Sequence, residues 1–147
     1  AGPFADRVAL LDTIGEWSSL SLAEHLARTG RDVTMFVPVA GFAWRTTIYS
    51  TLATRRRLRE LGVRIALLRA ARSWDGTTLR MEDLSTGEVE SLSGFDSVIE
   101  AAYNRAEDSL VGALAAMGLE ARAIGDCLAP RGALEAVFEG HELGLAS

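Results

Sequence analysis

The stretch Arg7-Val8-Ala9-Leu10-Leu11-Asp12 runs into Thr13-Ile14-Gly15-Glu16-Trp17-Ser18-Ser19, then into Leu20, Ala23, Leu26 and Ala27 at helical spacing. The first piece is short, apolar and partly β-branched, which reads as a buried strand. The second reads as a turn. In the third the apolar side chains share one face while Glu24, His25 and Arg28 point elsewhere, the pattern of a helix packed on a sheet. Ser18 or Ser19 can cap its start and Gly30 supplies its stop. The same periods then recur. Asp32-Val33-Thr34-Met35-Phe36-Val37 is a second buried strand ended by Pro38, and a loop with Gly41, Phe42 and Trp44 leads to a helix over about Thr47 to Leu61. Ile48, Leu52, Leu58 and Leu61 form its apolar positions, and Gly62 ends it before a third strand, Val63 to Leu68. Strand, helix, strand, helix, strand implies a parallel sheet.

Downstream the period changes. Thr77 to Asp83 and Glu88 to Leu92 alternate around Ser85-Thr86-Gly87, which predicts a half-exposed hairpin. Ser97 to Ala101 returns to the sheet as a further strand. A helix over about Asp108 to Met117, a short strand Ala121 to Ile124, a loop Gly125 to Arg131 and a last helix reaching about Leu145 complete the chain. The expected fold is α/β: a Rossmann-like three-layer unit with a mainly parallel sheet, a β-hairpin insertion and helices on both faces. At 147 residues the length suits one domain, or one domain with a piece of another.

Composition narrows the function. The net charge is −5, whereas a nucleic-acid binder of this size is more often basic, so no nucleic-acid partner is expected. No run approaches the roughly eighteen apolar residues of a membrane span, and no leader is evident, so a reducing cytoplasm is the expected location. The single cysteine, Cys127, excludes an internal disulfide and an iron–sulfur cluster held by this chain alone.

The first turn poses the question of dinucleotide binding. A G-x-G-x-x-G turn uses its glycines to bring backbone against a diphosphate. Only Gly15 stands in the Asp12 to Ser19 turn, and Asp12 and Glu16 bring negative charge to where phosphate would sit. A Rossmann-type unit with its nucleotide site lost or remodelled is the expectation. His25 and His141 lack a second ligand at metal spacing, and Cys127 sits beside Asp126 with no base, so no metal site and no catalytic residue are assigned. Arg55, Arg56, Arg57 and Arg59 read as a solvated helix face, and Trp17, Trp44 and Trp74 fall in predicted loops. The strongest local signal is Ile124-Gly125-Asp126-Cys127-Leu128-Ala129-Pro130-Arg131. An aspartate at the carboxyl end of a strand accepts hydrogen bonds from ribose or ribityl hydroxyls, and the helix start behind it can face a diphosphate.

At this point the chain resembles the C-terminal part of the trimethylamine dehydrogenase and 2,4-dienoyl-CoA reductase group of NADH:flavin oxidoreductases, related to old yellow enzyme. The matching stretches are Val8 to Thr13 with Gly15, Leu22 to Ala27 with Gly30, Val33-Thr34, Arg56 to Val63, Ile124 to Arg131, and Glu139-Gly140-His141. The resemblance implies a parent flavoprotein with an N-terminal TIM barrel that carries FMN and a four-iron cluster, neither held by this chain. Residues 1–120 would form the nicotinamide-domain-like unit and residues 121–147 the return segment of the FAD- or ADP-binding domain. Gly125, Asp126, Pro130 and Arg131 inherit the cofactor-binding role, with FAD or ADP shared with the rest of the parent. The barrel domain or subunit is the implied partner, and a homodimer is also open. Two positions depart from the group. Glu100-Ala101-Ala102-Tyr103-Asn104-Arg105 carries a tyrosine where the group usually has a glycine, and the first turn, with Asp12 and no early glycines, resembles the trimethylamine dehydrogenase type more than a working NAD site. Both point to a scaffold that is not catalytic alone. The alternatives are an accessory interaction subunit with a degenerate Rossmann fold and no cofactor, and a stand-alone nucleotide-binding protein.

Overall fold

The computed structural model describes residues 6–146. They form two compact units that divide between Ala102 and Tyr103. In the first, the alternating pattern yields β1 (Arg7–Asp12), α1 (Trp17–Arg28), β2 (Asp32–Val37), α2 (Ile48–Glu60) and β3 (Arg64–Leu67). These are followed by β4 (Arg69–Trp74), β5 (Thr78–Asp83), β6 (Val89–Ser93) and β7 (Ser97–Ala101). Four strands make a parallel sheet in the order β3-β2-β1-β7, with Leu10 level with Met35 on one side and with Ile99 on the other. The strand order reverses beside β1, because the chain moves outward through β2 and β3 and then returns to the far side of β1.

Strand alternation divides the core in two. Val8, Leu10, Val33, Met35 and Val37 face Leu20, Ala23 and Leu26 of α1 and Leu58 of α2. Each of these larger side chains is withdrawn from water, a gain of about 1.5–3 kcal/mol apiece. Thr47 caps α2 by accepting from the Ser50 N–H. Ala9 and Phe36, which point the other way, meet Leu79 and Met81, with Leu11, Val98, Leu92 and Trp74 packed around them. Phe95 closes this cluster edge-on against Phe36, ring centroids 5.8 Å apart.

The structure therefore corrects the expectation of helices on both faces. In the first unit α1 and α2 share one face, and the other is covered by a three-stranded antiparallel sheet, β4-β5-β6. Period-two alternation puts Leu79 and Met81 on the same side of β5, so a sheet can bury that face as well as a helix can. The expected hairpin gains β4 because β3 stops at Leu67. Leu68 takes φ +57°, which swings the chain out of one sheet and into the other. Its N–H donates to the Val39 carbonyl at 3.3 Å and its carbonyl accepts from Leu84 N–H at 2.8 Å. Trp74 consequently ends a strand rather than sitting in a loop. The pairing of β4 with β5 shifts register between Ala71 and Ser73, and β6 is largely exposed.

The second unit contains α3 (Ser109–Ala116), one turn of 3-10 helix at Gly125–Cys127, and α4 (Ala133–Ala146). No residue of either α-helix is buried. Residues 121–124, expected as a strand, are unpaired. The described residues of this unit hold no other strand, so its backbone has no ladder to join. The helix start expected at Pro130–Arg131 falls at Ala133.

Candidate functional site

Open parallel sheets bind ligands beyond the carboxyl ends of their strands, where the strand order reverses. Here that place is the end of β1 beside β7. Asp12, wholly buried, turns its Oδ1 back to accept from the N–H groups of Gly15 at 2.8 Å and Ile14 at 3.2 Å. Its Oδ2 is buried with no partner among the described residues. Thr13 bridges the two strand ends: its N–H and its hydroxyl both donate to the Ala101 carbonyl, at 3.1 and 2.9 Å. Gly15 has φ +64°, a conformation only glycine takes freely, and a Cβ there would lie 2.4 Å from Cδ2 of Trp44. The indole thus rests directly on the turn. Arg45 adds an N–H bond to the Gly15 carbonyl at 3.2 Å and an ion pair with Glu16 at 2.9 Å. Trp44 lies in the expected loop, and no local signal in the sequence announces its contact with Gly15.

The second place is the Gly125 turn. Gly125 has φ +59°, and its N–H donates to Oε2 of Glu139 at 2.6 Å. Arg131 binds the other oxygen of the same carboxylate and donates through Nε to the Ala129 carbonyl at 3.1 Å. The Gly125 hydrogen bond, and after it the one from Arg131, hold the Glu139 carboxyl below the ordinary glutamate range. Asp126 is exposed, and its side chain makes no hydrogen bond or ion pair among the described residues. Pro130 is half-buried. The structure brings Gly125 and Arg131 together through Glu139 and leaves the Asp126 carboxylate free to accept. Glu139 was legible only as part of a matching tripeptide.

The remaining candidates sort themselves by their partners. Arg57 reaches from α2 to Glu24 of α1 at 3.2 Å, and Arg28 holds the same carboxylate at 2.8 Å. The Arg28 and Arg57 hydrogen bonds lower the Glu24 pKa, so one of the four clustered arginines ties two helices together rather than forming a solvated face. Arg56 pairs with Glu60 along its own helix. His25 and His141 are exposed, and Trp17 opens α1 with its side chain in water rather than lying in a loop. No group of three His, Cys, Asp or Glu residues among the described ones is arranged to hold a metal. No helix among them is long and apolar enough to cross a membrane.

No protein-family model matches the chain, and no curated protein does. Solved structures do match. Histamine dehydrogenase from Rhizobium sp. 4-9 aligns with a TM-score of 0.86 at 24% identity, over 95% of this chain and 22% of the other. The 6-hydroxypseudooxynicotine amine oxidase of Pseudomonas geniculata N1 gives 0.85 at 21%, over 96% and 22%. A 2-naphthoyl-CoA reductase gives 0.80 at 23%, over 97% and 21%. The chain therefore has the fold of a segment found in these oxidoreductases, both units included. It spans about a fifth of their length.

Proposed function

We propose that the chain is the C-terminal domain or subunit of a flavin-dependent oxidoreductase of the trimethylamine dehydrogenase group, and that it lends one wall to an FAD- or ADP-binding crevice. The observation that carries this reading is the alignment over 95–97% of the chain with three oxidoreductases at TM-scores of 0.80–0.86. It agrees with the resemblance of the Gly125 to Arg131 stretch. Residues 1–120 act as a nicotinamide-domain-like scaffold and residues 121–147 as the segment that rejoins the nucleotide-binding domain. FAD supplies the electron-accepting chemistry when bound. Asp126 accepts a hydroxyl of the ribityl or ribose unit, Gly125 brings bare backbone close, and Pro130 and Arg131 set the approach to α4. The TIM-barrel domain or subunit that carries the reacting flavin is the partner.

The residues present fit half of such a crevice. Asp126 is exposed and unengaged, as an acceptor awaiting a hydroxyl must be, and Gly125 takes a positive φ, a conformation that favours glycine, so no side chain stands at that point of the turn. The test is spectroscopic. The purified chain is expected to carry no stoichiometric flavin absorbance, and the parent protein with Asp126→Ala is expected to lose about tenfold in FAD or ADP affinity. Tight FAD on the isolated chain, or an unchanged affinity in the variant, refutes the reading. One observation favours the accessory-subunit alternative: Leu134, Val137, Phe138 and Leu145 of α4 are all exposed. Association with a barrel subunit without nucleotide, indifferent to Asp126→Ala, would establish that alternative instead.

A further inference from the structure

A Rossmann turn needs three things to hold a dinucleotide: free N–H groups facing the diphosphate, a glycine face with nothing on it, and space above that face. Each of the three is already taken here by the chain itself. The N–H groups of Ile14 and Gly15 both donate to the Asp12 carboxylate, at 3.2 and 2.8 Å. The bare face of Gly15 is covered by the Trp44 indole, three of whose ring atoms lie 2.4–2.6 Å from where a Cβ would be. The space above is tied shut by the Arg45 N–H bond to the Gly15 carbonyl and the Arg45–Glu16 ion pair. The loop is anchored, because Phe42 and Ala43, just before Trp44, are buried in the helix-side core.

We propose that Asp12 and Trp44 are an internal substitute for a nicotinamide dinucleotide: the carboxylate stands in for the diphosphate at the turn amides, and the indole seals the glycine face. The nicotinamide-type crevice of the first unit is thereby kept closed by its own polypeptide, with the loop over residues 38–47 as the plug. The crevice is not merely short of glycines. Emptying it of its two occupants leaves an anion site of helix-N-terminal chemistry, because Gly15, the following amides and α1 remain in place and the Glu16 carboxylate stays paired with Arg45. The inference concerns the first unit alone and does not depend on the role of Asp126.

The test uses the full chain, with ADP and NADH as probes and amide shifts of Gly15 and Ser18 as the local readout. Wild-type protein is expected to show no shift at these amides at about 1 mM of either probe. Trp44→Ala/Asp12→Ala, checked for its fold by circular dichroism, is expected to bind ADP at least about tenfold more tightly, with shifts at both amides. Trp44→Phe, which keeps a ring over the glycine, is expected to behave as wild type. Wild-type binding of NADH at the Gly15 turn overturns the proposal, as does a folded double variant with no gain. If the double variant does not fold, Trp44→Ala alone decides: a gain of roughly threefold supports the plug and an unchanged affinity refutes it. Shifts confined to Gly125 and its neighbours report on the other site and count as no gain here.

Discussion

Replacing Gly15 by alanine sets two penalties against each other in a way that isolates the Trp44 contact. The first is conformational. At φ +64° an L-residue sits in the left-handed region, at a cost of about 1 kcal/mol. The second is steric. The new methyl would fall 2.4–2.6 Å from three atoms of a rigid ring, well inside ordinary contact, and overpacking of this kind costs about 1–3 kcal/mol. Gly15→Ala is therefore expected to destabilise the chain by about 2–4 kcal/mol. Trp44→Ala removes an indole that is 36% exposed, and its own cost is about 1–2 kcal/mol. In the double variant the steric penalty vanishes, since the methyl then occupies space the ring has left. The two changes should fall short of additivity by about 1–3 kcal/mol, read from urea midpoints at unchanged slope. Additivity within about 0.5 kcal/mol would mean that the indole does not press on the turn, and the plug would lose its physical basis.

Asp12→Asn keeps an acceptor for the Gly15 and Ile14 amides while removing the charge whose Oδ2 has no partner, so stability is expected to rise by about 1 kcal/mol in chemical denaturation. Glu24→Gln removes a carboxylate whose pKa is lowered by Arg28 and Arg57. A lowered folded-state pKa contributes stability that is complete above the unfolded value and is lost as pH falls through the folded one. The variant should hence be less stable than wild type by about 0.5–1 kcal/mol at pH 7, with the gap closing as pH falls below the ordinary glutamate range and through the lowered folded-state pKa, measured as paired urea midpoints. Glu139→Ala is expected to speed hydrogen exchange at the Gly125 amide by about tenfold or more, because that N–H loses its acceptor.

The parallel sheet and its two helices were legible because β1, β2 and their crossovers carry apolar residues at unambiguous spacing, and a buried strand has few other readings. The third layer was half legible. Alternation in Thr78–Asp83 and Val89–Ser93 announces strands, but nothing in Arg69–Trp74 does, with Arg69, Arg72 and three small residues on a short run. The break at Leu68 was invisible for a physical reason: its left-handed backbone is imposed by bonds to Val39 and Leu84, not by its own preference. Residues 121–124 show the converse, since their strand character needs a neighbour that no described residue of their unit provides. At the candidate sites, Gly15 and Asp126 could be picked out by chemistry at the expected turn. Trp44 and Glu139 could not, because each reaches its target across a gap in sequence that only folding closes.

The three-stranded layer also governs how the first unit meets anything else. One outer edge is β4, where the slipped register at Ala71 and Ser73 and the arginines at 69 and 72 spoil a straight row of backbone groups. The other is β6, short and mostly in water, with Glu88 and Glu90 at hand. Such borders resist the addition of a foreign strand. Growth of this layer into a larger sheet, and the aggregation that goes with it, is discouraged from both sides.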